Sequence, residues 1–240
     1  MRLVFDVQSL QSTSRLRGIG RYTRSLITAM LREEHTHEIT LLLNGSFGNH
    51  DDVIADLRAH LPRVDYAVCH LPRPTAAQAP EDALRKSIAE LIREAFIAEL
   101  KPDLVHVFSP MEGFGDNVVT SIGRVAAPYP VTSTFYDLIP LLNPKEYLST
   151  NAAFNSHYQA RLENLRRADG LLAISHFSAG EAADQLDYPA DKIGVASLGP
   201  LVSEDVDRAD ADEVLKMLNA IALSPGFLLY VGGSDPRKNL

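Results

Sequence analysis

The sequence predicts an α/β protein built on a doubly wound, mostly parallel sheet, and the order of its apolar runs and helical patterns supports this prediction. Short apolar runs alternate with amphipathic helical patterns from residue 2 to residue 197. Strands that alternate with helices pair in parallel through right-handed crossovers. In such a sheet, ligands bind in the crevice beyond the carboxyl ends of the strands, so the loops at those ends are the first place to look for a site.

Seven apolar runs are predicted to be strands. In chain order they are RLVFDV (2–7), EITLLLN (38–44), VDYAV (64–68), PDLVHVF (102–108), PVTSTFY (130–136), GLLAIS (170–175) and IGVAS (193–197). The candidate ligand-binding loops therefore follow Val7, Asn44, Phe108, Phe135 and Ile174.

Helical periodicity fills the intervals between these strands. Helices are predicted over 18–31, 51–60 and 152–168, and another follows the proline-rich loop 71–80. In this last helix the apolar residues recur at the spacing of one face: Leu84, Ile88, Leu91, Ile92, Ala95 and Phe96. Ser178 and Glu181 have the spacing of a capping box for a further helix that ends near residue 187.

The composition is typical of a globular protein and excludes several classes. The chain is 45% hydrophobic and 22% charged, and its formal net charge of −8 argues against general nucleic-acid binding. Its one cysteine, Cys69, excludes an internal disulfide and a cysteine-rich metal site. No apolar run is typical of a signal peptide or reaches membrane-spanning length, so a soluble cytoplasmic protein is expected.

The chain changes character near residue 200. We predict one complete domain over 1–200, then an acidic linker with a short helix over 201–226. The final stretch FLLYVGGSDPRKNL (227–240) is predicted to begin a second domain with a strand, a glycine turn and two basic residues. Glycines permit close backbone approach, so Arg237 and Lys238 are candidate ligands for a diphosphate.

The stretch RLRGIGRYTRSL (15–26) raises the possibility of an anion site at a helix start. It contains a G-x-G, but Thr23 replaces the third glycine of the dinucleotide fingerprint and Asn44 replaces the acid that would bind a ribose hydroxyl. An NAD site is therefore poorly supported. Free N–H groups at a helix N-terminus still attract anions, and four arginines lie nearby. A solvated helix start with surface arginines is the open alternative.

Polar residues follow several predicted strands. His106 lies on a strand and is interpreted as a core residue, whereas Ser109 and Glu112 lie on the loop beyond it. Glu112 could bind ligand hydroxyls or could be an exposed loop acid.

Two further pairs lie at strand ends. Tyr136 and Asp137 follow the fifth strand, where Asp137 either caps the next turn or reaches the crevice. Ser175 and His176 follow the sixth strand and are similarly ambiguous. The spacing fits neither a nucleophile elbow nor a metal-ligand cluster.

Taken together, these stretches resemble family 4 glycosyltransferases of the GT-B fold, particularly bacterial enzymes that build polysaccharides such as O-antigen mannans. The resemblance rests on RGIGRYTRSL, FSPMEGFGDNVVTSIG, FYDLIPLLNP, RRADGLLAISHFSAGE and YVGGSDPRKNL, which occur in the family's order along the chain. It implies two Rossmann-like domains that face each other across a cleft. The present chain would supply the acceptor-side domain and the start of the domain that binds the nucleotide sugar.

The resemblance also implies roles for individual residues. Gly18, Gly20 and Arg21 match the family's glycine loop near the donor diphosphate, and Arg237 and Lys238 match its basic pair. Tyr136 and Asp137 stand where many relatives have a His-Asp pair beside the transferred sugar, so Asp137 is the safer catalytic candidate. Ser109, Glu112 and His176 are the acceptor-binding candidates. The family's E-x7-E signature is absent, so we expect the 240 residues alone to be inactive.

The resulting expectation is a retaining glycosyltransferase that moves a hexose, with mannose favoured, from a nucleotide sugar to a growing, lipid-linked glycan. No metal or other cofactor is expected, because positioned cations and helix N-termini can stabilise a departing diphosphate. The expected location is the cytoplasm, with peripheral contact at the inner face of the membrane. The alternatives are a glycan-binding or scaffold module, another GT-B enzyme such as a nucleotide-sugar epimerase or a phosphorylase, and, more distantly, a dehydrogenase.

Overall fold

The structure, a computed structural model, describes residues 1–33, 36–61, 63–199, 210–224, 226–228 and 230. The chain divides into two compact units, residues 1–198 and 199–240. Arg237 and Lys238 lie outside the described residues, as does most of the stretch 227–240 that was predicted to begin a second domain.

A single parallel sheet organises the first unit. Among the described residues it has seven strands in the order β3-β2-β1-β4-β5-β6-β7, and every neighbouring pair is parallel. The strands are β1 (Arg2–Asp6), β2 (Glu38–Asn44), β3 (Asp65–Cys69), β4 (Leu104–Val107), β5 (Val131–Phe135), β6 (Gly170–Ala173) and β7 (Ile193–Val195). The predicted doubly wound α/β fold is confirmed, and each of the seven strands predicted over residues 2–197 is present within one or two residues at each end.

Helices occupy the intervals between the strands. In the first unit they are α1 (Gly18–Arg32), α2 (His50–His60), α3 (Ala83–Glu99), α4 (Ile139–Leu142), α5 (Pro144–Tyr147), α6 (Ala152–Arg167) and α7 (His176–Leu186). The second unit contains α8 (Ala211–Ala220). Two 3-10 turns, Gln8–Leu10 and Thr13–Leu16, lie in the interval 7–17 between β1 and α1. None of the described helices is both long enough and apolar enough to span a membrane.

The strand order reverses direction between β1 and β4. The chain adds β2 and β3 on one side of β1 and then returns to place β4 on the other side. Asp6 and Val107, the last residues of these two strands, are paired in register. The loops that leave a reversal point diverge, which opens a crevice at the carboxyl edge of the sheet. Residues 7–12 and 108–123 therefore form its two sides.

Helix α3 carries its apolar stripe on the outside of the protein. Leu84, Ile88, Leu91 and Ile92 are between 41% and 74% exposed. Apolar periodicity usually marks the buried side of a helix. Here the apolar periodicity predicted the helix correctly, but the side of α3 opposite to the apolar residues is the one that faces the sheet.

The buried side of α3 is polar because it forms an ion pair beneath the crevice. Arg93 is 1% exposed and Asp6 is fully buried. Arg93 Nε donates to Asp6 Oδ2 over 2.7 Å, and Nη2 of the same guanidinium pairs with that oxygen as well. Arg93 Nη1 donates to the carbonyl of Ser121 over 3.1 Å. One side chain thus joins α3, the end of β1 and the loop after β4.

The predicted capping box at Ser178 is wrong. Helix α7 begins at His176, and its N-cap is Ser175, whose Oγ accepts from the backbone N–H of Ser178 over 3.0 Å. The Ser178 hydroxyl instead donates to the carbonyl of Tyr136 over 2.7 Å. The S-x-x-S spacing places Ser178 at the third helical position. Its backbone N–H has no acceptor within the helix there, so it donates to the side chain of the N-cap residue.

Replacing Arg93 with methionine should destabilise the protein by about 3–5 kcal/mol, because the Asp6 carboxylate would remain buried without its cation. The matched control is Arg24→Met, which breaks the exposed Arg24–Asp56 pair and should cost about 0–1 kcal/mol. Urea unfolding followed by circular dichroism measures both values. Equal losses in the two variants would contradict the importance of the buried pair.

Candidate functional site

A hydrogen-bonded network holds the floor of the crevice. Asp6 Oδ1 accepts from the backbone N–H of Gln8 over 3.2 Å, and the Gln8 amide bridges to the loop after β4 through both the N–H and the carbonyl of Val119. Gln8 Oε1 also accepts from Asn44 Nδ2, at the end of β2. Asn44 in turn donates to the carbonyl of Asn117 over 3.0 Å. The ends of β1 and β2 are thereby fixed to the loop that forms the far side of the crevice.

The glycine turn is shaped by a close approach between two backbone segments. A Cβ on Gly20 would lie 2.5 Å from the Cα and carbonyl oxygen of Arg15, in the preceding 3-10 turn. Gly18, in contrast, has open space around the corresponding position. Helix α1 begins at Gly18 with no side chain capping it. Gly20 is required because a side chain there would meet the backbone of Arg15, whereas the space around Gly18 leaves the helix end accessible.

The electrostatics at this helix start favour an anion. The first turn of α1 contains no acidic residue, and Arg15, Arg17 and Arg21 are exposed beside it. Arg24 is not available in the same way, because it pairs with Asp56 on α2. Unbonded N–H groups and the positive end of the helix dipole attract negative charge to this position.

Glu112 is half-buried against the turns that follow β1. Its Oε1 accepts from Ser12 Oγ over 3.2 Å. This hydrogen bond joins the loop after β4 to residues 7–12 on the other side of the crevice. Ser109 lies beside the same carboxyl, and its Oγ, like Glu112 Oε2, is buried and has no hydrogen-bond partner among the described residues. Burial raises the pKa of Glu112 above its usual value, although the nearby hydroxyls of Ser14, Ser109 and Ser12 oppose the shift.

The sequence left open whether Glu112 is an exposed loop acid, and the structure shows a half-buried side chain whose Oε2 is inaccessible to solvent. The backbone of Gly113 allows this conformation, since its φ is +93° and a Cβ there would lie 2.4 Å from the carbonyl oxygen of Val118. Two buried, unpartnered oxygens in a crevice are typical of a site completed by a ligand or by water.

Tyr136 and Asp137 both make local structural contacts. The Tyr136 hydroxyl donates to the carbonyl of Phe108 over 2.9 Å, and its ring packs edge-to-face on Tyr22 with centroids 5.8 Å apart. Burial raises the pKa of Tyr136 far above its usual value. Asp137 Oδ1 accepts from the backbone N–H of Ile139 over 3.1 Å, as a cap of the turn that begins α4. The catalytic roles of both residues stay predictions.

His176 lies at the exposed first position of α7. Across the described part of the chain, no hydrogen bond or ion pair joins it to Ser109 or Glu112. The structure therefore brings together two of the three predicted acceptor residues by direct contact. His106 is confirmed as a core residue: it is 6% exposed, its ring nitrogens contact the hydroxyls of Thr132 and Thr134, and burial lowers its pKa to about 4.

Sequence reasoning missed the residues that support the site. Asp6 and Gln8 were not singled out, although an acid inside an apolar strand is a signal that a buried cation must pair with it. Ser12 was also missed, since a serine in a turn carries no pattern of its own. No group of three or more His, Cys, Asp or Glu side chains in the described residues has the arrangement of a metal site.

Comparisons with known proteins identify the family of this chain. A sequence profile of Glycosyltransferase Family 4 matches residues 16–199, so the chain belongs to that family. The serotype-specific mannosyltransferase WbdA of Escherichia coli is 32% identical over 244 residues, which are 100% of this chain and 29% of that protein. The chain thus spans less than a third of that relative's length.

Two further comparisons are weaker. The O-antigen chain mannosyltransferase B of Escherichia coli is 30% identical over 109 residues, covering 45% of this chain and 28% of that protein. The structure of apo UGT2 from Phytolacca americana superposes with a TM-score of 0.51 at 12% identity, over 91% of this chain and 54% of the other. This structural likeness concerns the fold alone.

Gly20→Ala should destabilise the protein by about 1–3 kcal/mol, because the added methyl group meets the backbone of Arg15. Gly18→Ala is the matched control, since the methyl group there enters open space. Thermal unfolding of the two variants gives the comparison. Equal melting temperatures would show that the close approach at Gly20 is not a constraint on the turn.

Glu112→Gln should remove a decrease in the free energy of unfolding that Glu112 causes as the pH rises. The pKa of Glu112 is raised in the folded state, so the native protein binds this proton more tightly than the unfolded chain does. Stability is therefore lost as the pH rises from the ordinary pKa of glutamate through the raised value. The variant should exceed the wild type in free energy of unfolding at neutral pH, and the difference should vanish in acid. Glu146→Gln, at an exposed position, is the control, and parallel pH profiles for Glu112→Gln and wild type would refute the prediction.

Proposed function

We propose that the chain is the acceptor-side part of a glycosyltransferase that moves a hexose, with mannose favoured, from a nucleotide sugar to a growing glycan. The observation that carries the proposal is the pair of unpartnered buried oxygens, Ser109 Oγ and Glu112 Oε2, in the crevice at the reversal of strand order. A sugar acceptor offers hydroxyl groups that donate to a carboxylate and accept from a serine. The membership of Glycosyltransferase Family 4 supports the same chemistry.

The proposed roles follow the electrostatics of the site. Transfer creates an oxocarbenium-like sugar and a departing diphosphate, and fixed cations and N–H dipoles stabilise the diphosphate without a metal. Gly18, Gly20 and Arg21 would present the start of α1 to that diphosphate. Glu112 would orient the acceptor hydroxyl, and its raised pKa makes it a stronger base than an ordinary glutamate once it is ionised. Asp137 would lie near the transferred sugar.

The remaining parts of the proposal concern the whole protein. Arg237 and Lys238 would bind the leaving diphosphate from the second domain, and the 240 residues alone would be inactive. Transfer would retain the anomeric configuration. The acceptor would be lipid-linked, and the exposed arginines beside α1 would give peripheral contact with the anionic inner face of the membrane.

The test uses the natural full-length protein with a panel of nucleotide sugars and a mannose oligosaccharide acceptor. We expect acceptor-dependent sugar transfer with a GDP-, UDP- or other nucleotide-linked hexose. Donor hydrolysis without transfer, or no donor binding at all, would contradict the proposal.

Replacing Arg237 and Lys238 with alanine in that full-length protein should weaken donor binding by about tenfold to a hundredfold, because two charge-assisted contacts to the diphosphate are lost. Lys145→Ala, on the exposed face of α5, is the matched control and should bind the donor like the wild type. Isothermal titration calorimetry provides the affinities. Unchanged donor affinity in the double variant would remove these two residues from the proposed site.

A further inference from the structure

A second cavity lies between α3 and α6, outside the crevice described above. Its volume is about 620 Å³, and small side chains on three segments leave it open, among them Ala77, Ala83, Ala153 and Ala160. It borders the loop that carries Glu112, because Ala77 donates its backbone N–H to the carbonyl of Gly113 over 3.0 Å. The size lies within the range of small-molecule sites.

The charged side chains of this cavity leave an excess of cations. Among the acids, Asp82 pairs with Arg85, Glu163 pairs with Arg166, and Glu90 pairs with both Arg161 and Arg124. Two further cations, Lys86 and Arg167, also line the cavity and form no ion pair with a carboxylate of the described residues.

Lys86 is the cation whose surroundings most clearly favour a ligand. Its Nζ contacts Nδ1 of His157 at 3.2 Å. Burial, followed by the charges of Lys86 and Arg161, lowers the pKa of His157 to about 3, so this ring is neutral and accepts from Lys86. Burial and the charge of Arg161 also lower the pKa of Lys86 to about 8. The ammonium group is thus partly desolvated and is not neutralised.

Arg161 supplies an independent observation in the same cavity. Its side chain is 4% exposed, and its Nε has no hydrogen-bond partner among the described residues. The other guanidinium nitrogens are engaged, since Nη2 donates to Glu90 over 2.8 Å and Nη1 donates to the carbonyl of Thr120. A buried N–H donor without an acceptor is costly, and an anionic oxygen would satisfy it.

We propose that the cavity between α3 and α6 binds a phosphate-bearing sugar, with the phosphate held by Lys86 and Arg161 and the sugar lying along the alanine-lined walls. Phosphate supplies several acceptor oxygens, which can satisfy an ammonium group and a guanidinium N–H together. A bare phosphate would fill little of a cavity of about 620 Å³, whereas a hexose phosphate fills more of it and adds hydroxyls for Asn164 and Ser87 at the wall.

This site goes beyond the proposed sugar transfer, and ligand binding to it can be measured without any turnover of donor or acceptor. Calorimetric titration of the 240-residue chain with hexose 1-phosphate, inorganic phosphate and neutral hexose compares the three ligands directly. We expect saturable binding of the hexose phosphate, weaker binding of inorganic phosphate and no binding of the neutral sugar. No saturable binding of the hexose phosphate, or equal binding of all three, would overturn the proposal.

Substitutions at Lys86 assign the binding to this cavity and separate it from the glycine turn. Lys86→Gln should weaken the affinity for hexose 1-phosphate by about tenfold or more, while Lys86→Arg keeps the charge and should retain most of it. Lys145→Gln is the control at an exposed lysine, and far-ultraviolet circular dichroism verifies that each variant is folded. Unchanged affinity in Lys86→Gln would overturn the assignment.

The source of the phosphate is distinguished by a vesicle experiment. Sedimentation with vesicles of phosphatidylglycerol reports binding to lipid headgroups. We expect Lys86→Gln to sediment with these vesicles as the wild type does, because the phosphate belongs to a sugar. Sedimentation that depends on Lys86 would place a lipid headgroup in the cavity and overturn the sugar-phosphate assignment.

Discussion

The buried ion pair between Asp6 and Arg93 is the constraint on which the crevice depends. The carboxylate stands at the end of β1, where the strand order reverses, and the guanidinium reaches it from α3. Two charges removed from water are tolerated only when their remaining hydrogen-bonding groups are satisfied. Gln8 and the carbonyl of Ser121 meet that need, so the same contacts that neutralise the pair also position both loops of the crevice.

This arrangement explains why α3 has its unusual polarity. The helix must present Glu90, Arg93 and Glu94 inward to hold Asp6 and the loop after β4. Its apolar stripe is consequently left on the outer face. The fixed loop then holds the half-buried Glu112 with one buried oxygen unpartnered, a cost that a protein tolerates where a ligand offsets it. The unpartnered oxygen of Glu112 is thus held in place by the hydrogen bonds and the ion pair among Asp6, Gln8 and Arg93.

The fold could be read from the sequence because alternation of strands and helices leaves one dominant topology. Strand β2 was predicted with its observed ends, since EITLLLN is bounded by polar residues on both sides. Contacts between polar side chains that lie far apart in the sequence could not be predicted in the same way. Nothing in the spacing connects Asp6 to Arg93, 87 residues later, and the inward side of α3 therefore had to come from the structure. The candidate residues Ser109 and Glu112 were identifiable from their position after a strand, whereas the contact between Glu112 and Ser12 depends on how two turns fold back.

We propose that the crevice between residues 7–12 and 108–123 binds the sugar acceptor. The most direct measurement is a crystal structure of the 240-residue chain with a mannose oligosaccharide. The account predicts sugar hydroxyls within hydrogen-bond distance of Glu112 Oε2 and Ser109 Oγ. An oligosaccharide bound elsewhere, with those two oxygens facing only water, would contradict it.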